Sequence, residues 1–502
     1  MSDYIIAIDQ GTTSSRAVLY DRQLSPQASC NEELPLSYPQ TGWVEQDPEV
    51  IWQSVLNCIR QLLQQNGIQA KQVAALALTN QRETTLLWDK KTGKTLYPAI
   101  VWQDRRTADL CQELKQKHED SIRAKTGLLA DPYFSATKLQ WLLEHLPDAR
   151  NRAESGELCF GTIDSFLLWR LTDGKVHATE ASNASRTLLF NIHQQQWDQE
   201  LLQLFAIPAA VLPQVHDSAG DFGCCNTELF NHPIPIVSLL GDQQAALLGQ
   251  ACVEPGMLKS TYGTGCFAMV NTGAKALHSK HQLLTTVAWR LKGECSYALE
   301  GSIFMAGATV QWLRDKLGII QQASETETLA NGVDYQQSEL LIPAFTGLGA
   351  PYWQPKVQAA LFGLSRNSGR EEICAAALRS VAYQTQDLLL AMEKDGITIA
   401  DIRVDGGMTV NRWFLQALAD LTQHSISQSK ISDATAFGTA FLAAWQLGWF
   451  STLDAIQPLW QSAAQFTPQL NPEQQSICYQ NWSSAIDRLL AEPPRDQGMQ
   501  KK

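Results

Sequence analysis

The chain has 502 residues, 44% hydrophobic and 18% charged, with 39 Lys and Arg against 51 Asp and Glu and a formal net charge of −12. That length exceeds what one hydrophobic core organises, so two domains are expected. The acidic balance argues against a general nucleic-acid binder, which needs a basic footprint, and no apolar run approaches the roughly 20 residues that insert into a membrane.

The N-terminal "MSDYIIAIDQ" has no basic leader region, so no secretory signal is expected. "YIIAIDQGTTSSRAVLYD" (Tyr4 to Asp21) then reads as strand, turn, strand. The turn carries far more polar equipment than the Gly or Asn that a plain hairpin needs. A helix follows: Asp47 caps, Pro48 suits the first turn, and Val50, Ile51, Val55, Cys58, Ile59, Leu62 and Leu63 form one stripe before Gly67 stops it. Further helices are expected over Ala136–His145, Ile303–Leu317, Arg370–Lys394 and Asn411–Leu421. Buried strands are expected over Val73–Thr79, Ile234–Leu240 and Asp401–Val404. Strand and helix alternate throughout, which indicates an α/β fold. "MLKSTYGTGCFAMVNTG" (Met257–Gly273) repeats the strand, Gly-Thr turn, strand pattern, so two similar halves facing across a cleft are one economical arrangement. The boundary between them should fall near residues 245–255. The eleven cysteines are scattered without CxxC spacing, which fits reduced thiols in a cytoplasm. Cys224–Cys225 reads as structural, and the tail "EPPRDQGMQKK" as loose.

Familiar phosphate signatures are missing. There is no G-x-x-x-x-G-K-[ST]. "GDFG" (Gly220–Gly223) imitates a protein-kinase motif without its H-R-D partner and reads as a turn. "HSKH" (His278–His281) has no further ligand cluster beside it in sequence and reads as a solvated loop.

The remaining polar loops lie at strand ends. In "DQGTTSSR" the Gly11 bend lets the amides of Thr12 and Thr13 converge on an anion, and the hydroxyls with Arg16 can bond phosphate oxygens. Asp9 would repel phosphate, so its expected role is to hold Mg²⁺ through waters. "TYGTGCF" offers Gly263, Thr264 and Gly265 from the other half. "RVDGGMTVN" places two glycines where backbone can approach a base or ribose closely. An acceptor set is separate: Arg82 beside Glu83 in "TNQRETT", Trp102, Tyr133, and Asp242 at another strand end. A surface ion pair would account for Arg82–Glu83, core packing for Trp102, and helix capping for Asp242.

Together these segments resemble the FGGY carbohydrate kinase family. The match runs from Tyr4 to about Trp482 through "DQGTTSSR", "GWVEQDP", "TNQRETT", "VWQDRRT", "GDQQAAL", "TYGTGCF", "ALEG", "PAFTGLGAPYW" and "RVDGG". It includes the two general family signatures, around "YFSATKLQWL" and "LFGLSRNSGREEICAAALRSVAYQ". "TNQRETT" and "TYGTGCF" single out the branch that phosphorylates glycerol. The resemblance implies an α/β fold of two actin-like (ribonuclease H-like) domains, residues 1–250 and 251–490, with a loose tail at 491–502. It implies ATP-dependent, Mg²⁺-assisted phosphorylation of glycerol to sn-glycerol 3-phosphate, in the cytoplasm, by a dimer or tetramer.

By similarity Arg82, Glu83, Tyr133, Asp242 and Gln243 would bind the hydroxyls of glycerol, while Trp102 and Phe267 pack on its carbons. Thr12, Thr13, Ser14, Arg16, Thr264, Gly307, Gln311, Gly407 and Asn411 would handle the nucleotide. Asp242 would be the base, and Asp9 with Asp242 would sit near the metal. One departure stands out. Some bacterial members bind fructose 1,6-bisphosphate on a basic, glycine-rich loop, whereas "CCNTELFNHPIP" (Cys224–Pro235) has neither Lys nor Arg, which argues against that feedback. The competing expectations are a family kinase for another polyol or ketose and an actin-like ATPase scaffold, which would need no acceptor set.

Overall fold

The computed structural model describes residues 3–334 and 339–491; the tail expected to be loose therefore lies almost entirely outside the described residues. In the first half, strands β1 (Tyr4–Gln10), β2 (Ser14–Tyr20) and β3 (Pro26–Glu33) precede helix α1 (Pro48–Gln65) and strand β4 (Val73–Asn80). Helix α2 (Ser135–His145), strand β5 (Ile236–Gly241) and helix α3 (Asp242–Gly249) complete it. The second half opens with β6 (Met257–Tyr262), β7 (Cys266–Gly273), β8 (Leu284–Leu291) and β9 (Glu294–Ile303). Then come α4 (Arg370–Lys394), β10 (Asp401–Asp405), α5 (Arg412–Thr422), β11 (Ile426–Ser429), α6 (Ala434–Gln446), β12 (Ser462–Phe466) and α7 (Pro472–Ala491).

Two sheets carry one plan. The first has the order β5-β4-β1-β2-β3 and the second β8-β9-β7-β6-β10-β11-β12. In each, an antiparallel hairpin (β1–β2, β6–β7) has its leading strand paired in parallel with a later strand (β4, β10), which pairs in parallel with another (β5, β11). Strands β1, β4 and β5 are almost wholly buried and read as continuous apolar runs, as parallel strands covered on both faces do. Their C-terminal ends, where Asp9, Arg82 and Asp242 emerge, mark the expected ligand side of such a sheet.

The halves share a core. Helix α6, late in the chain, packs its alanine-rich face against Ile5, Ala7, Ala75 and Ala77 of the first sheet. It crosses α3 at two glycines: a Cβ on Gly438 would lie 2.0 Å from the carbonyl oxygen of Ala245, and one on Gly249 would lie 1.8 Å from that of Ala434. Only hydrogen at both positions permits this approach.

Local expectations meet the structure with small shifts. Asp47 does cap α1, accepting from the Glu49 amide at 2.8 Å, but Val50 points to solvent at the edge of the stripe. The helix expected over Ile303–Leu317 begins only at Gly307, because Ile303 still pairs with Cys266 in the sheet, and its last turn, Leu313–Leu317, is a π-helix. Among the described residues no helix is long and apolar enough to cross a membrane.

Candidate active site

The first hairpin turn is tied from behind. Gln10 Nε2 donates to the Gly11 carbonyl at 2.7 Å, Gln46 Nε2 to that of Thr12 at 2.6 Å, and the Leu34 amide to that of Thr13 at 2.8 Å. A trans peptide points its N–H opposite to its C=O, so the amides of Thr12 and Thr13 face away from these glutamines. That leaves both amides free of these partners, as an anion-cradling turn requires.

Arg16 has a carboxylate partner in the structure. It forms an ion pair with Asp433 at 2.9 Å, and Asp433 also caps α6 through the Ala436 amide. Asp9, at the end of β1, is pushed well above the ordinary carboxylate range by burial, with Asp433 and Asp242 adding to the push and Arg16 opposing it. The buried Oδ1 of Asp405 and Oγ1 of Thr79 have no hydrogen-bond partner. The carboxylates that act on one another here, Asp9 with Asp433 and Asp242, are a donor set that suits a divalent cation. Among the described residues no three His, Cys, Asp or Glu side chains converge closely enough to ligate a metal directly.

The acceptor set assembles in one place. Arg82 Nε lies 3.3 Å from Asp242 Oδ1, and its Nη2 donates toward the Tyr133 hydroxyl at 3.4 Å. Neither Arg82 nor Glu83 is on the surface; they are 2% and 1% exposed, so the surface-pair alternative falls. The Glu83 backbone adopts φ 62°, a left-handed conformation that is costly outside glycine and concentrates at functional sites. Trp102 stands edge-on to Tyr133 and Phe267, with ring centroids 5.5 Å and 6.2 Å away. It is only half buried, and its Nε1 donates to Thr12 Oγ1 at 2.9 Å. That bond sets the aromatic wall directly against the phosphate turn.

Asp242 is the first residue of α3, not its cap, and its Oδ1 accepts from the Gln243 amide at 2.7 Å. Burial raises its pKa, opposed by Arg82 and Lys259. Gln243 Oε1 accepts from Lys259 Nζ, a fully buried lysine whose pKa burial lowers.

In the second half, Thr264, Gly307, Gln311, Gly407 and Asn411 line one cavity of about 450 Å³. Tyr262, Leu378 and Met408 supply apolar wall, and Val410 at its rim is 77% exposed, an aliphatic surface suited to a flat base. The two adjacent glycines differ in role. Gly406 has φ 95° and presses on the Tyr262 backbone, whereas nothing crowds Gly407 beside the cavity. Asn411 is partly occupied otherwise, capping α5 through the Phe414 amide and donating to Thr326.

Sequence reasoning assigned no role to Arg186, Glu300, Lys259, Asp405 or Asp433. The available signal was a charged residue inside an otherwise small or apolar stretch, as in "NASRTLLF" and "ALEG".

Residues 4–249 match the N-terminal domain of the FGGY family of carbohydrate kinases, and residues 258–447 match its C-terminal domain. The chain is 54% identical over 494 residues to a glycerol kinase of Ectopseudomonas mendocina, covering 98% of this chain and 100% of the relative. It is 53% identical over 493 residues to glycerol kinase 1 of Pseudomonas aeruginosa, covering 98% and 100%. Among solved structures, Plasmodium falciparum glycerol kinase with ADP superposes with a TM-score of 0.92 at 34% identity, covering 98% of this chain and 99% of that one. A gluconate kinase from Lactobacillus acidophilus shares the fold, with a TM-score of 0.88 at 21% identity over 97% of this chain and 98% of that one.

Proposed function

The chain belongs to the FGGY family of carbohydrate kinases, and on that premise we propose that it transfers the γ-phosphoryl group of ATP to a terminal hydroxyl of glycerol, giving sn-glycerol 3-phosphate and ADP. The observation that carries this reading is the convergence of Arg82, Tyr133 and Asp242 beside the Trp102–Phe267 wall, with Trp102 bonded to the phosphate turn. Glycerol is uncharged, so its recognition needs hydrogen bonds and an apolar wall together. A site built to pair hydroxyls rejects analogues that lack them, by up to about 10⁴-fold.

Arg82, Glu83, Tyr133, Asp242 and Gln243 bind the hydroxyls, and Trp102 with Phe267 hold the carbon chain. The attacking oxygen forms a bond to the γ-phosphorus as the bond to the bridging oxygen of ADP breaks, and Asp242 takes the hydroxyl proton. A carboxylate is a weak base toward an alcohol, but in a loose phosphoryl-transfer transition state the proton moves late. Alignment and charge stabilisation therefore supply most of the acceleration. The amides and hydroxyls of Thr12, Thr13 and Ser14 cradle phosphates from one side and Thr264 from the other, while Gly307, Gln311, Gly407 and Asn411 hold the adenosine. Arg16 acts mainly through Asp433. Mg²⁺, when bound with ATP, neutralises phosphate charge, and Asp9 and Asp242 are the residues we assign to hold its water shell.

Residues 1–250 are assigned to the lobe with the acceptor site and first hairpin, and residues 251–490 to the lobe with the second hairpin and adenosine cavity. We place the reaction in the cytoplasm, in keeping with eleven cysteines of which none forms a disulfide; a dimer or tetramer belongs to the same family-based reading. The relatives favour neither a different polyol or ketose nor a non-catalytic scaffold. Product analysis tests the proposal. The product should be fully oxidised by a dehydrogenase specific for sn-glycerol 3-phosphate; a product inert to it would refute the assignment.

A further inference from the structure

Resting on that reading of the cleft, we propose that Arg186 and Glu300 are positioning residues that set the affinity for glycerol, with Glu300 acting from the opposite half of the chain. Arg82 and Glu83 are neighbours in sequence, yet their closest charged approach is a loose 3.8 Å. Each is gripped by a third party instead. Arg82 Nη1 donates to Glu300 Oε2 at 2.6 Å, Arg186 Nη2 donates to Glu300 Oε1 at 2.8 Å, and Arg186 Nε donates to Glu83 Oε1 at 2.6 Å. The four side chains form a closed ring of alternating charge, and all are at most 2% exposed.

The ring divides each substrate-binding group into a held part and a working part. Glu300 fixes one terminal nitrogen of Arg82, while its Nε and Nη2 edge remains toward Asp242 and Tyr133. Arg186 takes one oxygen of Glu83 and leaves the other for a hydroxyl of the acceptor. Arg186 also lies over the Tyr133 and Phe134 rings, 5.5 Å and 5.2 Å from their centroids, so it braces the tyrosine as well. A carboxylate or guanidinium with its rotamer fixed in advance loses less freedom when it binds substrate.

Glu300 sits on β9, at a seam where the halves are bonded repeatedly. Ser185 and Thr286 hydroxyls meet at 2.9 Å, Arg290 Nε reaches Asp217 Oδ1 at 2.6 Å, and the Tyr297 hydroxyl donates to the Ile192 carbonyl at 2.7 Å. The acceptor site is therefore complete only while β8 and β9 are seated on the first half.

The test compares full-length wild type with Glu300→Gln, Glu300→Asp and Arg186→Lys. Steady-state kinetics in glycerol and in ATP are combined with calorimetric titration of glycerol. Loss of a charged hydrogen bond at a buried site predicts a rise of about ten- to a hundredfold in KM and Kd for glycerol in Glu300→Gln. The KM for ATP should stay within about twofold. Glu300→Asp should recover part of the loss, and Arg186→Lys should shift in the same direction as Glu300→Gln. Wild-type glycerol affinity in a folded variant, or equal rises in both KM values, would overturn the proposal. If Glu300→Gln fails to fold, Arg186→Lys decides by the same criteria. A wild type without glycerol-dependent turnover would refute the parent reading, a result distinct from either of these.

Discussion

Arg82 touches Asp242, Tyr133, Gln244 and Glu300 within 3.4 Å, so its removal empties the centre of the acceptor site and leaves the phosphate turn intact. Arg82→Ala should raise KM for glycerol by tenfold or more, with a much smaller change for ATP; equal changes would make Arg82 a scaffold residue. Asp242→Asn should lose about 10²- to 10⁴-fold in kcat, the range of a general base, while nucleotide titration shows ATP still bound. Unimpaired kcat would remove Asp242 from that role. Arg82 and Glu83 were legible in the sequence because they adjoin each other after a buried strand. Their anchors were not. Arg82 and Glu300 lie 218 positions apart and Arg186 and Glu83 lie 103 apart, and no local pattern reports a contact at such range. Arg16 has a partner of the same kind: it pairs with Asp433, far along the chain, which no local pattern reports.

Elements show where local signals hold and where packing overrides them. Helix α4 runs over Arg370–Lys394 as expected; Glu372 caps its start by accepting from the Gly369 amide, and its middle, Cys374 to Leu389, is buried on every face. The stretch from Ile303 reads as helix by periodicity, but sheet pairing claims Ile303 itself and the helix starts only at Gly307. The crossing of α3 and α6 was invisible in sequence, since alanine-rich helices do not say which glycine meets which. Gly438→Ala should lower the melting temperature by several degrees and reduce activity with it, because a Cβ 2.0 Å from a carbonyl oxygen forces the helices apart. An unchanged melting curve would contradict the crossing.

Helix α7 docks through Asp387 on α4, which accepts from the Tyr479 hydroxyl at 2.7 Å and Trp482 Nε1 at 3.0 Å. Burial raises the Asp387 carboxyl to about 6, partly offset by those hydrogen bonds. Because the folded pKa is the higher one, this group's contribution is full below the ordinary carboxylate pKa of about 4. It is lost as pH rises through about 6, where the native state would still hold a proton that the unfolded chain has released. Asp387→Asn should flatten that part of the stability profile in chemical denaturation between pH 4 and 6.5; an unchanged slope would refute the buried-proton account. Glu300 acts with the opposite sign. Arg186 and Arg82 outweigh its burial and hold it down at about 2, so the contribution of Glu300 should persist from neutral pH down to about 4.5 and fade as pH falls toward 2.

At the scale of the whole molecule, one sheet plan appears twice, and the two hairpin turns mark its repetition. The sequence made the duplication visible through its two Gly-Thr turns and hid the shared core, in which a late helix closes an early sheet. The proposed nucleotide cavity and acceptor pocket lie in different halves, and on that reading the acceptor pocket borrows Glu300 from the second. Transfer to a hydroxyl rather than to water requires that the halves exclude solvent once both substrates are in place. If this cleft couples ATP to glycerol specifically, release of ADP measured with glycerol, xylulose, gluconate or no acceptor should be rapid with glycerol and near background with the other three; ATP turnover indifferent to glycerol would refute that coupling.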